Sequence, residues 1–214
     1  MAGTPQDDCS CCAVVAAAPN SDVAFRRVLW IVLAINAAMF GAEAVAGVIA
    51  GSVSLQADAL DFLGDAANYG IALFVLSRPP AWRAGSAFVK GAAMAAFGVW
   101  VLGYSAYNAF VLDLPSATVM GAVGIVALLA NLSCAALLFR FRAGDANRSA
   151  VWICSRNDVL GNLAVLVAAS GVAFSGTPWP DLAVGAAMGV LALSGAATVL
   201  RQSAAEFRVA TVAG

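Results

Sequence analysis

The chain has 214 residues, 62% of them hydrophobic and only 11% charged, with a mean hydropathy of +0.89; a water-soluble domain carries about 25% charged residues, so a solvated globule is excluded. The net charge of -1 leaves no basic surface for nucleic acid. With no histidine, no nucleotide-binding loop and no nucleophile–base constellation, the composition also argues against an enzyme and against a catalytic cofactor.

Residues 1–22 are polar and hold Cys9, Cys11 and Cys12 among Pro5, Asp7, Asp8 and Pro19, which predicts a disordered cytosolic tail. Clustered thiols in a reducing compartment bind metal more often than they form disulfides, so the tail either captures soft metal ions or is dispensable. Six apolar stretches follow, at about 28–50, 53–76, 86–110, 116–139, 150–174 and 181–200. Each is long enough for a hydrocarbon core of ~30 Å, which takes about 20 helical residues. The first is too long for a signal-peptide core and contains Glu43, so it is expected to be retained. Only Gly51 and Ser52 separate the first two spans, which requires a tight hairpin. Arg78-Pro79-Pro80 closes the second. Pro178-Trp179-Pro180-Asp181 precedes the sixth, with Trp179 an interfacial anchor; Trp30, Trp82, Trp100 and Trp152 read as belt residues near span ends. Fourteen residues follow Leu200, and no soluble C-terminal domain is expected in them.

All eleven Lys and Arg residues fall on alternate connections or beside them. Arg26 and Arg27 precede the first span; Arg78, Arg83 and Lys90 lie between the second and third; Arg140, Arg142, Arg148 and Arg156 lie between the fourth and fifth; Arg201 and Arg208 follow the sixth. Basic residues near span ends stay cytoplasmic. The expected fold is therefore all-α, a polytopic six-helix transmembrane bundle with both termini cytosolic. It divides into a tail at 1–22, a transmembrane domain at 23–206 and a short tail at 207–214. The expected location is a bacterial inner membrane.

Five of the twelve acidic residues, Glu43, Asp58, Asp61, Asp65 and Asp158, fall in the interior of these spans, and Asp181 begins the sixth. Each costs about 2.5–3.5 kcal/mol to insert, so such groups mark a pathway or a partner. Asp61 and Asp65 are four residues apart on the second helix and share a face. At ~1.5 Å per residue they lie ~12 and ~18 Å below the outer edge, which brackets the midplane. The fifth helix repeats the spacing with Cys154 and Asp158. Two antiparallel helices can bring these four together, and the three carboxylates would repel one another in low dielectric unless a cation compensates. A divalent ion does so, and oxygen with thiolate suits a tetrahedral borderline metal. Cys154 is alternatively a small apolar filler, and Cys134, beside Asn131 and Ser133, reads as filler. Asp58, one turn outward, is a relay, an exit-side contact or a partner for Arg156. Glu43 and Asn36 share a face of the first helix and are either proton-linked or bonded to neighbours, whereas Asn68 and Asn162 suit hydrogen bonding between helices.

These residues resemble the membrane domain of the cation diffusion facilitator family over about residues 28–206. Asn36 and Glu43 match the Asn and Glu of its first helix, and Gly51-Ser52-Val53-Ser54-Leu55 matches its Gly-Ser-x-Ser-Leu hairpin. The stretch from Ala57 to Asp65 fits Ala-Asp-Ala-Leu-[His/Asp]-x-x-x-Asp, the most specific part of the likeness. Cys154 to Asp158, then Leu160-Gly161-Asn162-Leu163-Ala164-Val165, fits the fifth helix, and Trp179-Pro180-Asp181 fits the Trp-x-Asp before the sixth. Cys154 departs from the usual His or Asp and shifts the expected selectivity toward softer ions. Arg156 is unusual so close to a cation site. The family's cytoplasmic metal-binding domain finds no match here, and much of its usual dimer contact goes with it, although a homodimer is still implied.

The resemblance implies alternating access with exchange of a divalent cation, of the Zn, Cd or Co kind, for protons. Asp61, Asp65, Cys154 and Asp158 would be the ligands. Two other readings stand beside it: a proton-coupled exporter or channel for small cations, and a membrane protein that binds metal without moving it. An organic-cation exporter predicts aromatic residues around its acids. Around Asp61 and Asp65 the neighbours are mainly Ala, Gly and Leu, with Phe62 and Tyr69 the exceptions.

Overall fold

A computed structural model describes the backbone of residues 23–74, 80–111, 113–141 and 146–212, and the side chains within them except at 72, 74, 80–84, 87, 146–157, 202 and 205–212. The described residues form six α-helices: α1 (Val23–Ala50), α2 (Val53–Phe74), α3 (Pro80–Val111), α4 (Ala117–Phe139), α5 (Ala146–Ser175) and α6 (Trp179–Val212). Several run past the apolar boundaries drawn from sequence. α1 begins at Val23 rather than 28, α3 at Pro80 rather than 86, α5 at Ala146 rather than 150, and α6 continues to Val212 through the stretch expected to be a tail. Hydropathy marks where a helix leaves the hydrocarbon, not where its hydrogen bonding stops. Pro80 supplies a preset φ and lacks only an N–H that a first-turn residue leaves unused.

The hairpin joining α1 to α2 is as tight as Gly51-Ser52 demands. Gly51 takes φ +65°, a left-handed conformation open to glycine at no steric cost. Its N–H donates to Val48 O at 3.2 Å, and Ser52 N–H donates to Gly47 O at 2.9 Å, so the last carbonyls of α1 are satisfied by a Schellman turn. Ser52 also caps α2, its Oγ accepting from Leu55 N at 3.2 Å. One residue thus ends one helix and starts the next. Ser116 N donates to Ala50 O at 2.9 Å, tying the start of α4 to the same corner.

The helices pack chiefly as the pairs α1 with α2, α3 with α6 and α4 with α5, and α2 also touches α3, α5 and α6. Among the described residues, five helices contain a segment long and apolar enough to cross a membrane: Val23–Ala50, Phe88–Val111, Ala117–Phe139, Asp158–Ser175 and Trp179–Arg201. α2, with Asp58, Asp61 and Asp65 within about two turns, is the exception in composition. It is also the helix most enclosed by others: every residue from Ser52 to Leu60 is buried. Its neighbours enclose Asp58 and Asp65, as an intramembrane carboxylate requires, and leave Asp61 exposed. Large apolar side chains face outward instead, Phe110 at 89% exposure and Phe174 at 92% among them. That surface suits hydrocarbon, in which polar groups must be satisfied internally. The chain is an integral, polytopic helical membrane protein.

Two apolar clusters hold the ends of the bundle. Phe25, Leu29 and Val32 of α1 meet Tyr69 and Leu73 of α2 and Leu138 of α4 at one end. Ala50, Leu55, Met120, Val165, Ala169 and Val172 meet at the hairpin end. At Gly185, α6 comes so close to α2 that an added Cβ would stand 2.8 Å from the Val53 carbonyl carbon and 2.9 Å from Ser54 N. That approach positions the first turn of α6 against the first turn of α2.

Candidate functional site

Polar side chains recur along α2 at Ser54, Asp58, Asp61, Asp65 and Asn68, alternating steps of four and three. Such spacing draws a nearly straight stripe on a helix, drifting by only ~20° in seven residues. The stripe runs through the enclosed helix and meets polar groups from α1, α3, α5 and α6 in turn.

At the hairpin end it meets Asp181, in the first turn of α6 and 1% exposed. Asp181 Oδ1 accepts from Ser52 Oγ at 2.7 Å, Ser54 N at 3.0 Å and Ser54 Oγ at 2.6 Å, while Oδ2 accepts from Val53 N at 2.7 Å. The carboxylate therefore caps α2 from another helix, taking the two N–H groups that Ser52 leaves open. Four charge-assisted bonds saturate it, and its negative charge lies at the positive end of α2.

One turn further, Asp58 is fully buried, and Asn162 Nδ2 on α5 donates to its two oxygens at 3.0 and 3.1 Å. Asn131 on α4 donates in turn to Asn162 Oδ1 at 3.5 Å. Glu43 of α1 faces Asp58 closely enough for the two carboxyls to interact. Neither Glu43 oxygen meets hydrogen-bond geometry with a partner among the described residues, and the side chain is 0% exposed. Asn36, two turns earlier on α1, donates from Nδ2 to Val32 O at 2.8 Å and lies 3.8 Å from Cys134 Sγ. Cys134 is a buried free thiol.

Asp65 is 9% exposed. Tyr69 Oη, one turn on, donates to its Oδ2 at 3.3 Å, and the Asp158 carboxyl on α5 faces it across the α2–α5 gap closely enough for the two groups to interact. Two carboxyls this close hold together through a shared proton or a shared cation. The Lys90 charge also acts on Asp65, and Lys90 Nζ donates to Asn68 Oδ1. Asp61 is placed differently: it is exposed in the middle of an otherwise enclosed helix, although its charge still bears on Glu43. An exposed carboxylate there marks an opening in the helix packing at its level.

Of the four expected ligands, the structure brings Asp65 and Asp158 together and sets Asp61 at the neighbouring opening. Among the described residues no three Asp, Glu, Cys or His side chains converge as a metal site. Cys154 belongs to α5, one turn before Asp158, but its side chain lies outside the described residues, as does that of Arg156; so do Cys9, Cys11 and Cys12 of the tail. Asp58 is bonded to Asn162 and stands beside Glu43. Asn68 and Asn162 both bond between helices. Two contributors went unread in the sequence. Lys90 counts there only as a cytosolic charge, although it already falls inside the third apolar stretch, a position at which a lysine needs a partner. Asp181 figures only as part of a motif, and nothing local announces that it caps a helix 128 residues away in sequence.

Chemically, the paired carboxylates of two antiparallel helices offer hard oxygen ligands to a cation in an enclosed, low-dielectric place, with a third carboxylate at an adjoining opening. Residues 29–207 match the sequence model of the cation efflux transmembrane domain. The chain is 28% identical over 192 residues to the metal cation efflux system protein CzcD of Cupriavidus metallidurans, covering 83% of this chain and 60% of that protein. It is likewise 28% identical over 182 residues to the cation efflux system protein CzcD of an Alcaligenes species, covering 78% and 57%. The chain therefore spans less than two thirds of the length of the curated relatives it matches.

Proposed function

Because this chain belongs to the cation efflux, or cation diffusion facilitator, family, we propose that it carries a divalent transition-metal cation out of the cytosol in exchange for protons. The observation that carries this reading is the meeting of Asp65 on α2 with Asp158 on α5, deep in the bundle, beside the exposed Asp61. In the loaded state Asp61, Asp65 and Asp158 supply oxygens, and Cys154, one turn from Asp158, supplies a thiolate. Mixed oxygen and sulfur ligation suits Zn(II) and Cd(II), with Co(II) next. The naming of both relatives as cation efflux proteins supports a cation cargo.

Metal binding requires deprotonated ligands, so loading on the cytosolic face releases protons. Re-protonation from the other face weakens the hold on the metal and favours discharge. Asp61 at its opening is the first carboxylate an entering ion meets, and a modest change in helix packing brings it to the Asp65–Asp158 pair. The placement of basic residues supports a cytosolic start of α1 and end of α6, and the bacterial relatives support a plasma-membrane location.

Reconstitution into vesicles with a pH gradient, followed by uptake of Zn(II), Cd(II) and Co(II), tests the reading. Uptake that collapses when the gradient is dissipated is the expected result. Metal binding without flux would overturn transport in favour of a binding protein, and flux of organic cations in preference to metals would overturn the cargo.

A further inference from the structure

Lys90 is a cation on an apolar helix, ten residues into α3 and 5% exposed. A buried ammonium is costly unless it is paired and hydrogen-bonded. Its Nζ donates to Asn68 Oδ1, and Asn68 is the next member of the α2 polar stripe after Asp65. The amide aims the ammonium at the stripe, where its charge also acts on the Asp65 carboxyl. Beside it an open, largely apolar cleft of about 770 Å³ runs between α2 and α3, with Gly70, Ile71, Ser86, Val89 and Ala93 on its walls and Lys90 itself on the lining. A lysine has four flexible methylenes and a compact, rotatable head. The apolar walls of the cleft suit those methylenes, and the head can withdraw along it toward Gly85 and Ser86 near the start of α3.

We propose that Lys90 is a tethered counter-cation for Asp65, present when the transport site is empty and displaced into the α2–α3 cleft when a divalent ion loads. The inference rests on Asp65 being a metal ligand, as argued above, and adds a specificity-determining residue to it. A single positive charge neutralises the empty carboxylate, so release of the metal never leaves it bare in low dielectric. A monovalent ion at the same distance gains no more Coulomb energy than the ammonium already supplies, and cannot displace it. A divalent ion gains twice as much. Lys90 thus sets a threshold that favours divalent over monovalent cargo, and lowers divalent affinity to a level that permits release.

The test is Cd(II) binding to the purified full chain in detergent, measured by titration calorimetry. Lys90→Met keeps the chain length and removes the charge, and should tighten Cd(II) binding about tenfold or more; a merely structural lysine predicts weaker binding or none. Ala93→Phe fills the cleft and should weaken Cd(II) binding several-fold, because the ammonium has nowhere to withdraw. The double variant should bind as Lys90→Met alone. Where Lys90→Met does not fold, Lys90→Gln keeps a donor to Asn68 and should show the same tightening. Unchanged or weaker binding in a folded Lys90 variant overturns the inference, as does an Ala93→Phe effect that persists without the lysine. A wild-type chain that binds no Cd(II) would overturn the ligand assignment and this inference together, whereas wild-type binding that ignores Lys90 removes the inference alone.

Discussion

Two carboxylates packed against α2 have opposite surroundings. Asp181, at the hairpin end, receives four hydrogen bonds from Ser52, Val53 and Ser54, all within 3.0 Å. Glu43, two turns down α1 from the same hairpin, is as deeply buried, yet neither of its oxygens meets a hydrogen-bond donor among the described residues. Asp65 lies between these extremes, with a tyrosine, a lysine charge and another carboxyl around it. The difference separates what a buried charge does for the fold from what it does for a cargo. Donors that saturate a carboxylate leave nothing for a cation to offer. A carboxylate grouped with other carboxylates keeps its lone pairs for an incoming ion, at the expense of stability.

The largest effect expected from this contrast is at the pair. Asp65→Ala should cut metal uptake by vesicles by more than about 100-fold, beyond the loss typical of changing a ligand's outer partner, while the protein still elutes as a folded species. Full uptake would remove Asp65 from the pathway. At the saturated end the sign of the experiment reverses. Asp181→Asn should lower stability by about 3 kcal/mol, the worth of one or two charge-assisted bonds, seen as earlier thermal unfolding in detergent. Cd(II) affinity of its folded fraction should hold within about twofold, since the cap lies well over a turn from Asp65. A large affinity loss without destabilisation would place Asp181 in the site instead.

Cys154→Ser is expected to be milder. If the thiolate is a ligand, Cd(II) binding weakens several-fold and Co(II) binding less, because the soft ion loses more; equal small changes for both would make Cys154 a filler. Glu43→Gln should be smallest in stability terms. With no donor on its oxygens among the described residues and only the Asp58 carboxyl beside it, it should shift unfolding by less than about 1 kcal/mol. Destabilisation as large as that of Asp181→Asn would mean the two carboxylates are alike after all.

Much of this was legible from residue order. Six helices follow from six apolar stretches, and the Gly51-Ser52 hairpin from the lack of any other residues to turn with. The acidic positions on α2 and α5 stand out because charges in a span are rare. What the sequence does not carry is the rotation of each helix against its neighbours. Asp61 and Asp65 share a face by spacing, yet four residues overshoot one turn by roughly 40°, whereas seven fall short of two turns by only about 20°. On a helix enclosed on several sides that difference matters: Asp58 and Asp65 are buried in one seam, and Asp61 comes out at an opening. The partners of Lys90 and Asp181 were hidden for the same reason, since each acts across a helix–helix contact. Helix ends ran long because polar and basic interfacial turns, Arg26-Arg27 and Arg201-Gln202 among them, hold their hydrogen bonds after their hydropathy has fallen.

On the proposed function, α2 and α5 hold one cation jointly through Asp65 and Asp158. A double-mutant cycle on Cd(II) affinity tests it most directly, using Asp65→Asn, Asp158→Asn and the pair. Each single change should weaken binding by about 100-fold or more, and the double change by little beyond either single one, as expected for ligands that act as a unit. Wild-type affinity in either single variant, or losses that add as for independent sites, would contradict it.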